Sequence, residues 1–137
     1  MNKKMAITRG AVLLIAGSLL ILIAAFITTS PVAFYAANEI ELGANVSLLN
    51  ELKAPAGFLL AAGAFMIVAI FVRGLATTAL LLGTMIYLSY AAARFVSIGI
   101  DGLPAAGLVQ AAALETVIGL ACLALLLARR GPAGRAA

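Results

Sequence analysis

Histidine is absent from the sequence, and with it go the sites built on imidazole: bis-histidine haem ligation, the common zinc centres and nucleophilic triads with a histidine base. One cysteine, Cys122, cannot form an internal disulfide. It falls within an apolar run, which suits a small buried side chain better than a reactive thiol. Charge is scarce as well: Asp, Glu, Lys and Arg make up 10% of the chain, against about 25% in an ordinary soluble domain. Hydrophobic residues make up 65%, and a water-soluble fold of this length could not hide so much apolar surface. The excess must face lipid or other protein. A chain of 137 residues makes one domain, 1–137. At about 20 residues per spanning helix the expectation is four crossings and no appended soluble domain.

The apolar runs cover about 6–29, 54–72, 75–96 and 105–128, each long enough to span. The first follows Lys3, Lys4 and Arg9 in the charge order of a secretory signal. Its apolar core, Ala11 to Ile27, exceeds the signal length of about 7 to 15 residues, so it reads as an uncleaved helix. Arg73-Gly74 is all that separates the second and third runs, which makes them antiparallel neighbours. Between the third and fourth, Asp101-Gly102 is a turn dipeptide and Pro104 suits the first turn of a helix. The remaining connection, 30–53, is long. Ser30-Pro31 is a cap and first turn for a short helix in it, and Phe34 and Tyr35 suit a membrane interface. This loop is expected to lie across one mouth of the bundle. A weak internal echo relates Glu51 to Ala62 with Asp101 to Ala112, each an acid followed by a proline and an Ala-Gly pair.

Positive charge sets the orientation, because lysines and arginines are retained on the cytoplasmic side. One face carries Lys3, Lys4, Arg9, Arg73, Arg129, Arg130 and Arg135 with no acid. The other carries Glu39, Glu41, Glu51 and Asp101 against Lys53 and Arg94. The expected fold is therefore all-α: a polytopic four-helix transmembrane bundle with both termini cytoplasmic and the 30–53 loop outside. The formal charge of +4 does not indicate nucleic acid, since the basic residues lie at the ends and in one turn and form no continuous surface.

A charged side chain inside a spanning helix costs about 2.5 to 3.5 kcal/mol on insertion scales, so Arg94 and Glu115 require an explanation. Glu115 lies about eight residues into the fourth run, roughly 12 Å below its outer end. It shares a helical face with Ala111, Ala112, Gly119 and Cys122, small residues that permit close packing. Arg94 shares a stripe with Tyr87, Tyr90, Ala91 and Ser97 and sits about one turn above Glu115, within reach of a guanidinium. An Arg94–Glu115 ion pair is the sharpest structural expectation. In the second run, Asn50, Lys53, Ala54, Gly57, Ala61 and Ala64 form a small-residue face, and in the first Gly10, Gly17 and Ala24 form another. Together these residues outline a polar pocket on the outer side: Asn50, Glu51, Lys53, Tyr87, Tyr90, Arg94, Asp101, Gln110 and Glu115. Such a pocket could hold a small polar molecule, a lipid head group or a quinone head. The competing readings are that Arg94 and Glu115 neutralise one another and fix helix register, or that they serve a proton or ion relay. No catalytic residue, metal ligand or cofactor is assigned.

The string Asn50-Glu51-Leu52-Lys53-Ala54-Pro55-Ala56-Gly57, followed by Ala93-Arg94, Ser97, Asp101-Gly102, Pro104 and Glu115, resembles a bacterial family of small four-helix membrane proteins. That family is a domain of unknown function, itself distantly similar to the DoxX group, and the resemblance covers most of the chain. Where the pattern has an arginine in the second-helix opening, this chain has Lys53. The resemblance implies a multi-pass protein of the bacterial inner membrane and supports the candidate residues without implying an activity. The DoxX group looks like membrane subunits of oxidoreductase systems, an analogy of fold rather than of site. Two functions follow as expectations. One is a small inner-membrane protein binding a small molecule or lipid in the outer pocket. The other is an accessory subunit packed against a membrane-protein partner or another copy of itself, with no ligand of its own.

Overall fold

The computed structural model describes residues 3–128. Arg129, Arg130 and Arg135, which carry part of the charge argument for orientation, lie outside the described residues. Five helices follow one another: α1 (Lys3–Thr29), α2 (Pro31–Ala36), α3 (Val46–Phe71), α4 (Ala76–Asp101) and α5 (Ala106–Ala128), with one turn of 3-10 helix at Arg73–Leu75 between α3 and α4. No strand occurs among the described residues. The four long helices are long and apolar enough to cross a membrane, and most of their side chains, Phe71 and Val117 among them, point outward as lipid-facing surface. The chain is a multi-pass membrane protein.

Two antiparallel pairs make the bundle: α1 with α3, and α4 with α5. In the first pair Gly10 faces Ile70 and Gly17 faces Gly63. The Gly17–Gly63 crossing is backbone on backbone, since a Cβ at Gly63 would lie 2.6 Å from the Gly17 carbonyl oxygen. Between helices in lipid, where burial in hydrocarbon gives no hydrophobic gain, such close approach is what holds the pair. In the second pair Gly119 packs on Leu88 and Gly83 on Cys122. The pairs join through a core that includes Leu13, Leu20, Leu59, Met66, Leu80 and Tyr87. The Tyr87 hydroxyl donates to the Ala16 carbonyl at 2.6 Å, a buried bond from α4 to α1.

Several boundaries differ from the sequence reading. The second spanning helix begins at Val46, not near Ala54, because the Asn45 side chain caps it by accepting from the Leu48 amide at 3.1 Å. Pro55 is therefore inside α3, where it lacks the N–H that would bond the Glu51 carbonyl. The third spanning helix runs on to Asp101 and stops at Gly102, whose φ of +100° suits a residue without Cβ. The Glu51 and Asp101 echo consequently has no structural counterpart, since Pro55 is mid-helix while Pro104 precedes α5. The small-residue face assigned to the second helix is also corrected: Ala54, Gly57, Ala61 and Ala64 are exposed. The buried face is Ala56, Leu59, Ala62, Gly63 and Met66, selected by the Gly63 crossing.

The 30–53 loop is reduced to a short strap. Pro31 opens α2, while the Ser30 side chain makes no capping bond. After α2 the Ile40 amide returns to the Tyr35 carbonyl and the Glu39 amide to that of Ala36, a Schellman turn with Glu39 in the left-handed position at φ 62°. This turn doubles the chain back, and Leu42 becomes buried at 8% exposure. Phe34 stacks on Phe26 of α1, centroids 6.4 Å apart, and meets Tyr35 edge-on at 5.4 Å.

Candidate functional site: a cavity between the helix pairs

Between the two helix pairs, in the half of the bundle beside α2, lies a partly open cavity of about 490 Å³. Its walls come from every helix. Residues 19–27 of α1 contribute Leu19, Leu20, Ile23 and Ile27, and α3 contributes Leu52, Pro55, Ala56 and Leu59. From α4 come Ile86, Tyr87, Tyr90 and Arg94; from α5 come Gly107, Leu108, Ala111, Leu114 and Glu115. The strap closes the remaining side with Phe34, Tyr35, Asn38 and Ile40. Asn38 sits against Gly107 so closely that a side chain there would collide with its amide oxygen. The volume falls in the range of about 300 to 1,000 Å³ typical of small-molecule sites, which also combine apolar walls with a few placed polar groups.

Those polar groups gather at one end. Arg94 Nε donates to both carboxylate oxygens of Glu115, at 2.9 Å to Oε2 and 3.1 Å to Oε1. The carboxylate side chain is 13% exposed and the guanidinium side chain 32%. Glu115 is nine residues past the start of α5, about 14 Å of helical rise, so the pair lies well below the helix ends. Holding both charges together offsets much of the cost of placing either one at that depth. Arg94 also borders a second, 90 Å³ cleft with Ser97, Ile98, Pro104 and Leu108, and Ser97 Oγ donates to Asp101 Oδ2 at 2.9 Å nearby. The guanidinium thus has the large cavity on one side and a polar rim on the other. Tyr35, on the strap and outside the spanning helices, approaches the same end. Burial pushes its phenol above the ordinary value of 10.0, Tyr90 adds to the rise and Arg94 opposes it.

Of the nine residues singled out from sequence, four line the cavity: Tyr87, Tyr90, Arg94 and Glu115. Tyr87 is less available than the others, because its hydroxyl is committed to Ala16. Asn50, Glu51 and Lys53 do not reach it. Once α3 starts at Val46 its inward stripe is Leu52, Pro55, Ala56 and Leu59, at helical spacings of three, four and seven. That phase turns residues 50, 51 and 53 away, and all three are exposed. Asp101 and Gln110 are exposed too and border neither cavity. Two polar liners escaped the sequence reading. Tyr35 was assigned to the membrane interface and Asn38 to an undifferentiated loop. Tyr35 lies on α2, which docks on α1 through Phe34 and Phe26, and Asn38 lies in the Schellman turn, whose left-handed residue, Glu39, is not the glycine that would have announced it. Among the described residues no cluster of His, Cys, Asp and Glu could hold a metal ion.

No curated protein and no solved structure matches the chain. A family model described as a domain of unknown function, DUF4345, matches residues 8–126. That span reaches from the first turns of α1 to the last turns of α5 and takes in every wall of the cavity, so the chain belongs to the DUF4345 family.

Proposed function

We propose that this protein is a lipid-ligand binding protein of the bacterial inner membrane, with its cavity in the outer half of the bilayer. The observation that carries the reading is the cavity itself: about 490 Å³, walled by aliphatic side chains, with the Arg94–Glu115 pair at one end. A pair that only fixed helix register would need no space beside it. A ligand with an apolar body and a polar head matches both parts. Orientation follows from the charge bias, which places Lys3, Lys4 and Arg73 on the face opposite the strap and makes that face cytoplasmic.

The strap covers the cavity from the aqueous side through Tyr35, Asn38 and Ile40, which favours entry from the lipid. Native mass spectrometry of the protein released from mild detergent tests the reading, with wild type run beside Ala111→Phe and Arg94→Ala. Ala111 lines the cavity and is only half-buried, so a phenyl ring there fills the space. The expected result is a retained small molecule or lipid on wild type, absent from Ala111→Phe and weakened in Arg94→Ala. Equal occupancy of all three, or none in any, contradicts a ligand-binding cavity.

A further inference from the structure

Resting on the cavity as a binding site, the side chains at its polar end constrain what the ligand can be. We infer that it is a neutral amphiphile that presents hydrogen-bond-accepting oxygens to Arg94, in the manner of a quinone carbonyl or the ester carbonyls of an uncharged glyceride.

Charge comes first. Arg94 and Glu115 are the only side chains charged at neutral pH among the residues that line the cavity, and they already neutralise one another. An anionic head would gain Arg94 but meet Glu115 within the same contact distance. A cationic head would meet the reverse. Either would surrender its hydration for an attraction that is largely cancelled, a net loss in a low-dielectric site. A neutral head avoids that cost.

Hydrogen-bonding capacity gives the second constraint. Arg94 spends its Nε on Glu115, with both carboxylate oxygens on that one nitrogen. Its two terminal nitrogens carry four N–H donors that meet no protein acceptor among the described residues. Tyr87 has already given its proton to Ala16. Glu115 gives two of its roughly four lone-pair sites to the guanidinium, and the Asn38 amide oxygen is the other side-chain acceptor on the wall besides the tyrosine hydroxyls. What remains is an excess of donors from Arg94, with the Tyr35 and Tyr90 hydroxyls beside them. A group that accepts without donating fits such a surface, and carbonyl oxygens do so. A head rich in hydroxyls, such as a sugar, carries more donors than these few acceptors can meet and would leave several unmatched.

The third constraint is shape. Outside the polar end the walls are aliphatic on all four spanning helices, including Leu19, Ile23, Leu59 and Leu114, so the rest of the ligand is a hydrocarbon chain.

The experiment presents purified protein in detergent with an equimolar mixture of four probes, read by native mass spectrometry. They are decylubiquinone, 1,2-dioleoyl-3-acetylglycerol, dioleoylphosphatidylglycerol and oleate. Wild type is expected to retain a neutral probe over phosphatidylglycerol by roughly tenfold, equivalent to about 1.4 kcal/mol. Whether the quinone or the glyceride is retained identifies the source of the carbonyls. Glu115→Gln keeps an acceptor for Nε but leaves Arg94 uncompensated, so phosphatidylglycerol or oleate should gain roughly tenfold over the neutral probes. Arg94→Gln should lose the neutral probes by a similar factor. Thermal accessibility of the buried Cys122 thiol shows that each variant remains folded, and Glu115→Gln alone decides the matter if Arg94→Gln does not. Preference for an anionic probe by wild type, with its binding abolished by Ala111→Phe, overturns the neutral-ligand inference while leaving the cavity as a site. Binding of every probe that is indifferent to Ala111→Phe overturns the cavity reading too.

Discussion

Replacing Gly63 by alanine would put a methyl carbon 2.6 Å from the Gly17 carbonyl oxygen and 2.8 Å from Ile21 Cγ1, where ordinary contact begins at 3.4 Å. Neither neighbour can step aside cheaply, since one is backbone and the other is the first methylene of a β-branched side chain held close to it, so α1 and α3 must separate by roughly 0.8 Å. A gap of about 0.5 to 1 Å forfeits a quarter to a half of the dispersion energy at each contact it opens. Here it opens the most extensive helix pairing in the bundle. Overpacking of this kind costs about 1 to 3 kcal/mol, and the better helix propensity of alanine returns at most about 1. With the full return subtracted, the expected net loss is up to about 2 kcal/mol.

Cys122 supplies the assay, being the chain's one cysteine and 0% exposed. A thiol-reactive fluorophore in a thermal ramp reports when the core opens, and the Gly63→Ala midpoint should fall, by up to roughly 8 °C. Gly57→Ala on the same helix is the control, because nothing lies within 4 Å of a Cβ there. That variant should hold or raise the midpoint through helix propensity alone. Equal midpoints for Gly63→Ala and wild type, or equal damage from Gly57→Ala, would refute the close-crossing argument.

Three further outcomes follow from local geometry. Tyr87→Phe removes the bond to Ala16 O while keeping the ring, and should lower stability by about 0.5 to 1.5 kcal/mol in the same thiol assay. Asn45→Ala deletes the cap of α3 and should cost about 1 kcal/mol, seen as faster amide exchange confined to the first turn after Val46. Glu39→Gly relieves a non-glycine residue at φ 62°, so the strap should gain about 1 kcal/mol and its amides exchange more slowly.

The spanning helices were legible because their apolar runs are long and the lipid they meet is uniform, so composition alone locates them. Hydropathy marks only the buried length of a helix, however. The first turns of α3, from Val46 to Lys53, mix polar and apolar residues and are fixed by one Asn45 hydrogen bond that composition does not register. The same error of eight residues carried Asn50, Glu51 and Lys53 into the proposed pocket, because a helix read as starting there leaves its first turn free to point inward. Arg94 and Glu115 could be placed near one another because depth along two antiparallel helices follows from counting residues at a fixed rise. Which face of α3 packs inward could not be counted. Two small-residue stripes compete on that helix, and the choice depends on where Gly17 of another helix meets it.

Intrinsic fluorescence tests the central claim most directly. The chain has no tryptophan and three tyrosines, and Tyr35, Tyr87 and Tyr90 all line the cavity, so all of its tyrosine emission comes from the proposed binding site. Titration of the detergent-solubilised protein with a brominated neutral glyceride, and separately with decylubiquinone, should give saturable quenching by at least one of them, and Ala111→Phe should reduce it to a shallow linear slope. Quenching that never saturates, and is the same in wild type and Ala111→Phe, would mean that the tyrosines meet these molecules only as bulk lipid and that the cavity binds neither.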